Sequence, residues 1–449
     1  MKLASTAVSA DGFYPLRLTV GVMMRGDMAR FGSILFVNPA VADGIEDLGP
    51  PQCFPDLLLT KVIDAVTRDE QLEKFFYLPL HDVSAIQYRH DVFGDLECDQ
   101  IRGPIERFVG GMRTMHERLD RAAHLWHRLQ QQGWFVYAVE AFCDTVATLR
   151  DELAAARPSS RGLRDFADDV AAYVGSDRFR ALVAETQSVQ TELQKVRYTV
   201  HIDGLKVHVD RYEDQSDYSL DIAAAFERFA AEAVRDYHVR MTESPNMNHV
   251  EEQILERVAQ LFPEPFRRLE EFCTRHRHYL DTTISRFERE VKFYLSYLAF
   301  VRRLTDEGLA FSYPAITDDP GAISADAAFD AALAVKAVKD RNTVVRNDFH
   351  LSGAERIFVI TGPNQGGKTT LARTIGQIAY LGTLGCPVPA RRATLTLPDE
   401  IYTHFERQET LATLHGKLDN ELVRIHDILS AATATSIVVM NESFTGLSP

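Results

Sequence analysis

From Ile105 onward, apolar residues fall three and four positions apart, at Phe108, Met112, Met115, Leu119, Ala122, Trp126 and Leu129, while Arg107, Arg113, Glu117 and Arg118 fill the other faces. That spacing predicts a long amphipathic helix whose stripe packs against other helices. Gly133 is expected to turn the chain into a second helix over 134–153, closed by Arg157-Pro158-Ser159-Ser160. A third helical stretch covers about 163–195. A shorter one begins at Phe54, with Leu57, Leu58, Val62, Ile63 and Val66 near one stripe, and Leu78-Pro79-Leu80 breaks it. Ahead of it, residues 1–50 are weakly patterned, and 33–37 reads either as a short strand or as a packed extended segment.

At 198–209 the period changes from 3.6 to 2 on both sides of Asp203-Gly204, the turn chemistry of a small β-hairpin. His201 and His208 alternate with its apolar residues; two surface histidines are the expectation, and a metal site lacks a third ligand. Helices resume near Leu220 and again after Ser244-Pro245. Between Pro265 and Leu304 the apolar positions fit one helix of some forty residues, which would span roughly 60 Å. Its arginines, among them Arg267, Arg268, Arg275, Arg286, Arg289 and Arg303, read either as a nucleic-acid channel or, interleaved with Glu270, Glu271, Glu288 and Glu290, as a solvated ion-paired face. Asp318-Asp319-Pro320-Gly321 is the expected linker.

Past that linker the pattern carries chemistry. After a helix around 327–339, the apolar run Ile357-Phe358-Val359-Ile360 is read as a strand, and it enters Thr361-Gly362-Pro363-Asn364-Gln365-Gly366-Gly367-Lys368-Thr369-Thr370, which a helical pattern leaves. The motif G-x-x-x-x-G-K-[ST] is satisfied, and the order strand, glycine-rich turn, helix separates a P-loop from a chance match. Residues Gly362 to Thr370 are therefore expected to hold ATP. Glycines let backbone N–H groups approach phosphate oxygens, and the helix N-terminus favours the anion. Lys368 is expected to reach the β- and γ-phosphates, and Thr369 to offer its hydroxyl to Mg2+. A second apolar run, 435–440, ends at Asn441-Glu442, where a carboxylate belongs at the C-terminal end of a parallel strand. Glu442 fits the group that positions the attacking water. Asn441 stands where an aspartate would indirectly hold Mg2+; its amide accepts a hydrogen bond from metal-bound water but brings no negative charge.

Composition narrows the reading less. Of the 449 residues, 45% are hydrophobic and 25% charged, and the five cysteines (53, 98, 143, 273 and 386) never form a C-x-x-C pair, so neither a disulfide framework nor a zinc site is indicated. No apolar run reaches the ~18 residues of a membrane helix, and no basic-then-apolar leader is present, so a soluble, cytoplasmic protein is expected. A formal charge of −15 argues against a surface that is basic overall, yet leaves room for a local basic channel.

Taken together, the glycine-rich motif, Gly385-Cys386-Pro387-Val388-Pro389-Ala390, Asp399-Glu400-Ile401-Tyr402-Thr403 and Asn441-Glu442-Ser443 resemble the MutS-type mismatch-repair ATPases of the ABC-like group. The resemblance covers about 343–449 and, more loosely, Leu80-His81-Asp82 with Ile86, Arg89 and Val92. It implies an all-α core and lever domain (51–318, with the hairpin at 198–209) followed by an α/β, ABC-like P-loop ATPase domain (322–449). The family's later sheet strands, sensing histidine and dimerising helix are expected after Glu442, so the ATPase domain is expected to be incomplete. The resemblance further implies a homodimer in which Gly416-Lys417-Leu418 would face the partner's nucleotide, against an ordinary helix start there, and DNA as a partner. The hairpin is much smaller than the family's DNA clamp, and no mismatch-reading segment is evident. The resulting expectation is an ATP-hydrolysing, DNA-acting protein whose dimer closure moves its levers. The alternative is a nucleotide-binding scaffold or non-hydrolysing remnant.

Overall fold

The computed structural model describes residues 31–42, 44–204, 206–214, 247–317, 322–351, 353–363, 366–405 and 417–441. The expected linker at 318–321 and the helix expected from Leu220 lie outside the described residues. Compact units do not follow chain order: one is built from the described parts of Arg107–Leu149 and Ala171–Leu280, the other from those of Met28–Glu106, Arg150–Val170 and Asp281–Pro449.

In the first unit the expected apolar stripe is buried at Phe108, Met112 and Met115, but it stops short. The helix Asp99–His124 ends before Trp126, which is 83% exposed, and the next helix, Arg128–Ala156, runs straight through Gly133. The turn thus lies at 125–127, where Gln131 Nε2 donates to the Leu125 carbonyl (2.7 Å), and Gly133 is an interior helical residue. The third stretch is also two helices, Arg161–Val174 and Asp177–Gln194. Ser176 makes the break: its hydroxyl accepts from Phe179 N (3.2 Å) and donates to Tyr173 O (2.6 Å), capping one helix while closing the other. The hairpin forms as expected, β1 (Tyr198–Asp203) pairing antiparallel with β2 (Lys206–Arg211) so that His201 lies opposite His208. Helix His249–Leu261 opens with a capping box of Asn248 and Glu251. Around Tyr279 the rings of Phe135 (5.6 Å) and Phe142 (5.3 Å) meet it edge-on, and Phe135 meets Phe272 in the same way.

The single forty-residue helix is corrected to two, Pro263–Arg275 and Thr282–Thr305. Asp281 is the physical reason: its carboxylate accepts from Thr283 N (2.8 Å) and Ile284 N (3.3 Å), a helix start that periodicity alone does not register. The arginines resolve towards the ion-paired face. Arg267 engages Glu264 and Glu271, Arg275 engages Glu185, and Arg289 engages Glu46, while Arg286 and Arg303 donate to the carbonyls of Gly32 and Ala65.

Helix Thr282–Thr305 is the centre of the second unit, burying Phe287, Val291, Phe293, Tyr294, Tyr297, Leu298 and Phe300. Each such side chain contributes about 1.5–3 kcal/mol on burial, so this helix outweighs any single polar contact in the unit. Its hydroxyls serve as pins: Tyr294 donates to Ile34 O (2.5 Å) and Tyr297 to Pro387 O (2.7 Å). Residues 33–36 are buried but neither a strand nor extended. The chain bends at Ile34 and Leu35, where Ser33 Oγ accepts from Leu35 N and Phe36 N (both 3.0 Å), and Glu290 holds the turn by accepting from Ser33 Oγ (2.8 Å) and Ile34 N (2.9 Å). Ile86, Arg89 and Val92 form the buried stripe of helix Val83–Glu97. A four-stranded sheet has the order β3 (Ala315–Thr317), β6 (Arg392–Thr396), β4 (Ile323–Ala328), β5 (Asn347–Leu351), with β3 and β6 parallel and the other pairs antiparallel. β4 takes the first residues of the helix expected near 327, which begins instead at Ala331. A separate parallel pair joins β7 (Ile401–Phe405) and β8 (Ile437–Asn441), the crossover between them containing helix Lys417–Ala431.

Candidate functional site

The glycine-rich stretch opens the helix Lys368–Thr383. Gly367 precedes it at φ 85°, ψ 9°, a left-handed conformation that glycine adopts without a Cβ penalty. No side chain caps this helix, and its backbone ladder starts only at Leu371 N, which donates to Gly367 O (3.0 Å). The N–H groups of Lys368, Thr369 and Thr370 thus belong to the first turn, whose donors point out of the helix start. Gly366 N donates to Pro363 O (3.1 Å), and a Cβ on Gly366 would lie 2.9 Å from that same oxygen, so only glycine closes the loop without strain. Lys368 Nζ folds back over the loop, donating to the carbonyls of Gly362 (2.9 Å) and Pro363 (3.1 Å). Thr370 O accepts from Thr374 Oγ1 (2.9 Å).

Two motifs remote in sequence meet here. Thr369 Oγ1 donates to Asn441 Oδ1 at 2.9 Å, at the end of β8. Asn364, Gln365 and Glu442 lie outside the described residues, as do Gly416 and Ser443. The strand expected at 357–360 is corrected: the segment is in no ladder, with Ile357 80% and Val359 74% exposed. The physical reason is pairing, since among the described residues β8 is hydrogen-bonded only to β7, and no strand runs beside 357–360. Lys417 begins an ordinary helix that continues to Ala431.

One face of helix Lys368–Thr383 fixes the loop to the helical part of its own unit. Arg373 Nε donates to Asp56 O (3.0 Å), Gln377 Nε2 to Leu57 O (2.9 Å) and Tyr380 Oη to Phe76 O (2.8 Å), while Thr383 O accepts from Leu80 N (2.8 Å). Gln377 is fully buried and fully used: it also donates to Asp330 Oδ1 (2.9 Å) and accepts from Ala331 N (2.8 Å). Sequence reasoning missed this row; its signal was a Gly376-Gln377 pair set in an otherwise apolar helix. At the other end of β7, Asp399 accepts from Thr433 Oγ1 (2.5 Å) and Ser436 Oγ (2.8 Å). Partial burial pushes its carboxyl up, but these hydrogen bonds outweigh that and hold it below the usual range.

His201 and His208 lie opposite each other across the hairpin, and among the described residues there is no group of three or more His, Cys, Asp or Glu side chains that could hold a metal ion. The cysteines are all free; Cys53 and Cys143 are buried, and burial pushes both thiols up to about 12. No helix among the described residues is long and apolar enough to cross a membrane.

Residues 358–448 match the family model of MutS domain V. The chain is 36% identical over 110 residues to the DNA mismatch repair protein MutS of Rickettsia bellii, covering 24% of this chain and 12% of that protein. To the protein of the same name in Brevibacillus brevis it is 35% identical over 115 residues (25% and 13%), and to Endonuclease MutS2 of Thermus thermophilus 35% over 105 residues (23% and 14%). The matches thus span no more than 14% of the length of these relatives.

Proposed function

Because the chain is MutS-related through the segment matching domain V, we propose that residues 322–449 form an ABC-like P-loop ATPase domain that binds Mg-ATP at the loop opening helix Lys368–Thr383. The observation that carries the reading is the Thr369–Asn441 hydrogen bond, which sets the end of β8 beside the first turn of that helix. The loop fits the ligand: an uncapped helix start presents N–H donors, and the Gly366 cradle leaves no room for a Cβ. In this reading the amides of 366–370 receive the phosphates, and Gly362, Pro363, Asn364 and Gln365 complete the nucleotide-binding stretch. Lys368 exchanges the carbonyls of Gly362 and Pro363 for phosphate oxygens, a charge-assisted pair replacing two neutral acceptors. Thr369 would offer its hydroxyl oxygen to Mg2+ while Asn441, which accepts from that hydroxyl, would help hold the metal through its amide oxygen, and Glu442 would orient the attacking water. Magnesium, when bound, neutralises charge on the phosphate oxygens.

For the whole protein the reading extends to an ATPase acting on DNA in the cytoplasm, with ATP driving closure of a homodimer and movement of the helical core and lever, 51–318. The relatives' names, DNA mismatch repair protein MutS and Endonuclease MutS2, support only the DNA part, and the rest comes from the motif resemblance. A second reading, a nucleotide-binding scaffold without turnover, is favoured by one feature, the neutral amide of Asn441 where a carboxylate would hold the metal more strongly. Thermal unfolding with and without Mg-ATP tests the site. A ligand at a hundredfold excess over its Kd adds about 2.7 kcal/mol to the folded state. The shift is expected in the native chain and absent in Lys368→Ala; no shift in either sinks the nucleotide reading. Turnover abolished by Glu442→Gln would then exclude the scaffold.

A further inference from the structure

Outside the loop, a polar cluster in the second unit centres on Asp56, in the short helix Phe54–Leu57. Its carboxylate Oδ2 accepts from Thr403 Oγ1 (2.7 Å) on β7 and from Arg424 (3.0 Å) on helix Lys417–Ala431. The same Arg424 nitrogen donates to Thr403 O (2.9 Å), closing a three-membered ring of contacts. From the opposite side, Asp56 offers its backbone oxygen to Arg373 Nε (3.0 Å), and the Arg373 guanidinium lies over the Phe405 ring at 5.6 Å. One residue therefore touches helix Lys368–Thr383 through its carbonyl, and β7 together with helix Lys417–Ala431 through its carboxylate. The Asp56 side chain is only 11% exposed and that of Arg424 29%, so water screens this pair less than an open surface pair.

We propose that Asp56 is a positioning residue for the candidate nucleotide site, holding the loop-bearing helix and helix Lys417–Ala431 in one frame so that occupancy of the loop is felt at Arg424. This rests on the nucleotide reading. Arg373 lies five residues beyond Lys368, about 7–8 Å along the helix axis. Any tilt of the first turn as the loop fills is passed along a rigid helix to Arg373, and from there to the backbone of Asp56. The carboxylate sits on that backbone, so Thr403 and Arg424 follow. Linkage makes the effect reciprocal: weakening the Asp56–Arg424 contact changes nucleotide affinity by the factor with which nucleotide strengthens it. A bond that only stabilised the fold would lower the melting temperature and leave the response to nucleotide intact.

The test uses the full chain, with Mg-ADP as the probe, and reads affinity by calorimetry together with amide exchange over 422–431. In the native chain, exchange over 422–431 is expected to slow when Mg-ADP binds. In Asp56→Asn, which keeps the shape but loses the charge, the slowing is expected to vanish and affinity to fall at least fivefold, the lower end of ordinary coupling. Asp56→Glu is expected to recover part of the response. Should Asp56→Asn fail to fold, Arg424→Gln removes the same contact from the exposed side. A folded variant with native affinity and a native exchange response overturns the proposal. If the native chain binds no Mg-ADP and Lys368→Ala behaves identically, the nucleotide reading has failed and takes this inference with it. Binding in the native chain, lost in Lys368→Ala but unchanged by Asp56→Asn, would leave the site standing and remove only the role of Asp56.

Discussion

Thr369 Oγ1 donates to Asn441 Oδ1 at 2.9 Å, across 72 positions of sequence. The acceptor is an amide oxygen, so the hydroxyl is oriented without a negative charge beside it. Asn441→Asp would keep the oxygen in place and add the charge. A hydrogen bond to a charged group is worth about 1 kcal/mol more than a neutral one, which corresponds to roughly a fivefold gain in Mg2+ affinity with nucleotide present. Magnesium titrations followed by calorimetry check this; an unchanged Mg2+ dependence would remove Asn441 from the metal's surroundings.

The Gly366 cradle predicts a local failure rather than a global one. In Gly366→Ala the new Cβ would meet the Pro363 carbonyl oxygen at 2.9 Å, and a backbone atom cannot swing aside as a side-chain tip does. Strain of about 1–3 kcal/mol falls on the loop. The loop is exposed and away from the core, so melting without ligand is expected to change little while nucleotide affinity drops. A variant that binds nucleotide as well as the native chain would show that the loop reshapes freely.

Gln377 predicts the opposite pattern. Replacing it with Leu conserves bulk but strands Leu57 O and Ala331 N, both of which it pairs, and removes one of the two donors to Asp330 Oδ1, which keeps Leu333 N. At about 1–3 kcal/mol for each buried group left unpaired, a loss of roughly 2 kcal/mol or more is expected in urea unfolding. Gln377→Glu should be worse near neutral pH, because a carboxylate then faces Asp330. A loss below 1 kcal/mol in the Leu variant would mean that neighbouring groups re-pair.

What the sequence made legible was whatever local pattern decides. The hairpin at 198–209 follows from a change of period around Asp203-Gly204, and the loop followed by a helix follows from glycine spacing ahead of an apolar stripe. Contacts across long separations escaped. Asp56 reaches Arg424 across 368 positions and Gln377 reaches Leu57 across 320, and nothing in either neighbourhood names the partner. The break before Thr282 was hidden for another reason: Asp281 caps a new helix while the apolar spacing carries on past it. The apolar run at 357–360 shows the limit from the other side, because strand propensity yields a strand only where a neighbour supplies the ladder.

His90 gives the last prediction, and its sign follows from burial. The ring packs against Tyr313 at 5.1 Å, its Nε2 has no hydrogen-bond partner among the described residues, and burial lowers its pKa to about 4, only partly offset by Asp91. In the unfolded chain the imidazole takes up its proton near 6.5, the ordinary value for histidine. Between pH 6.5 and about 4 the unfolded state therefore binds the extra proton, and stability falls as pH falls through that window. The full shift sets an upper bound of about 3 kcal/mol, and partial exposure of the ring brings the expectation to roughly 1–2 kcal/mol. Glu290 acts in the opposite direction: burial raises its pKa, so its contribution is present at low pH and lost as pH rises through its folded value. The native pH profile alone therefore mixes two slopes, and the difference between the native chain and His90→Phe isolates one. Phenylalanine keeps the ring against Tyr313 and cannot titrate, so the variant should lose less stability than the native chain between pH 7 and 4.5 in urea unfolding. Parallel profiles would show that His90 is solvated well enough to titrate normally.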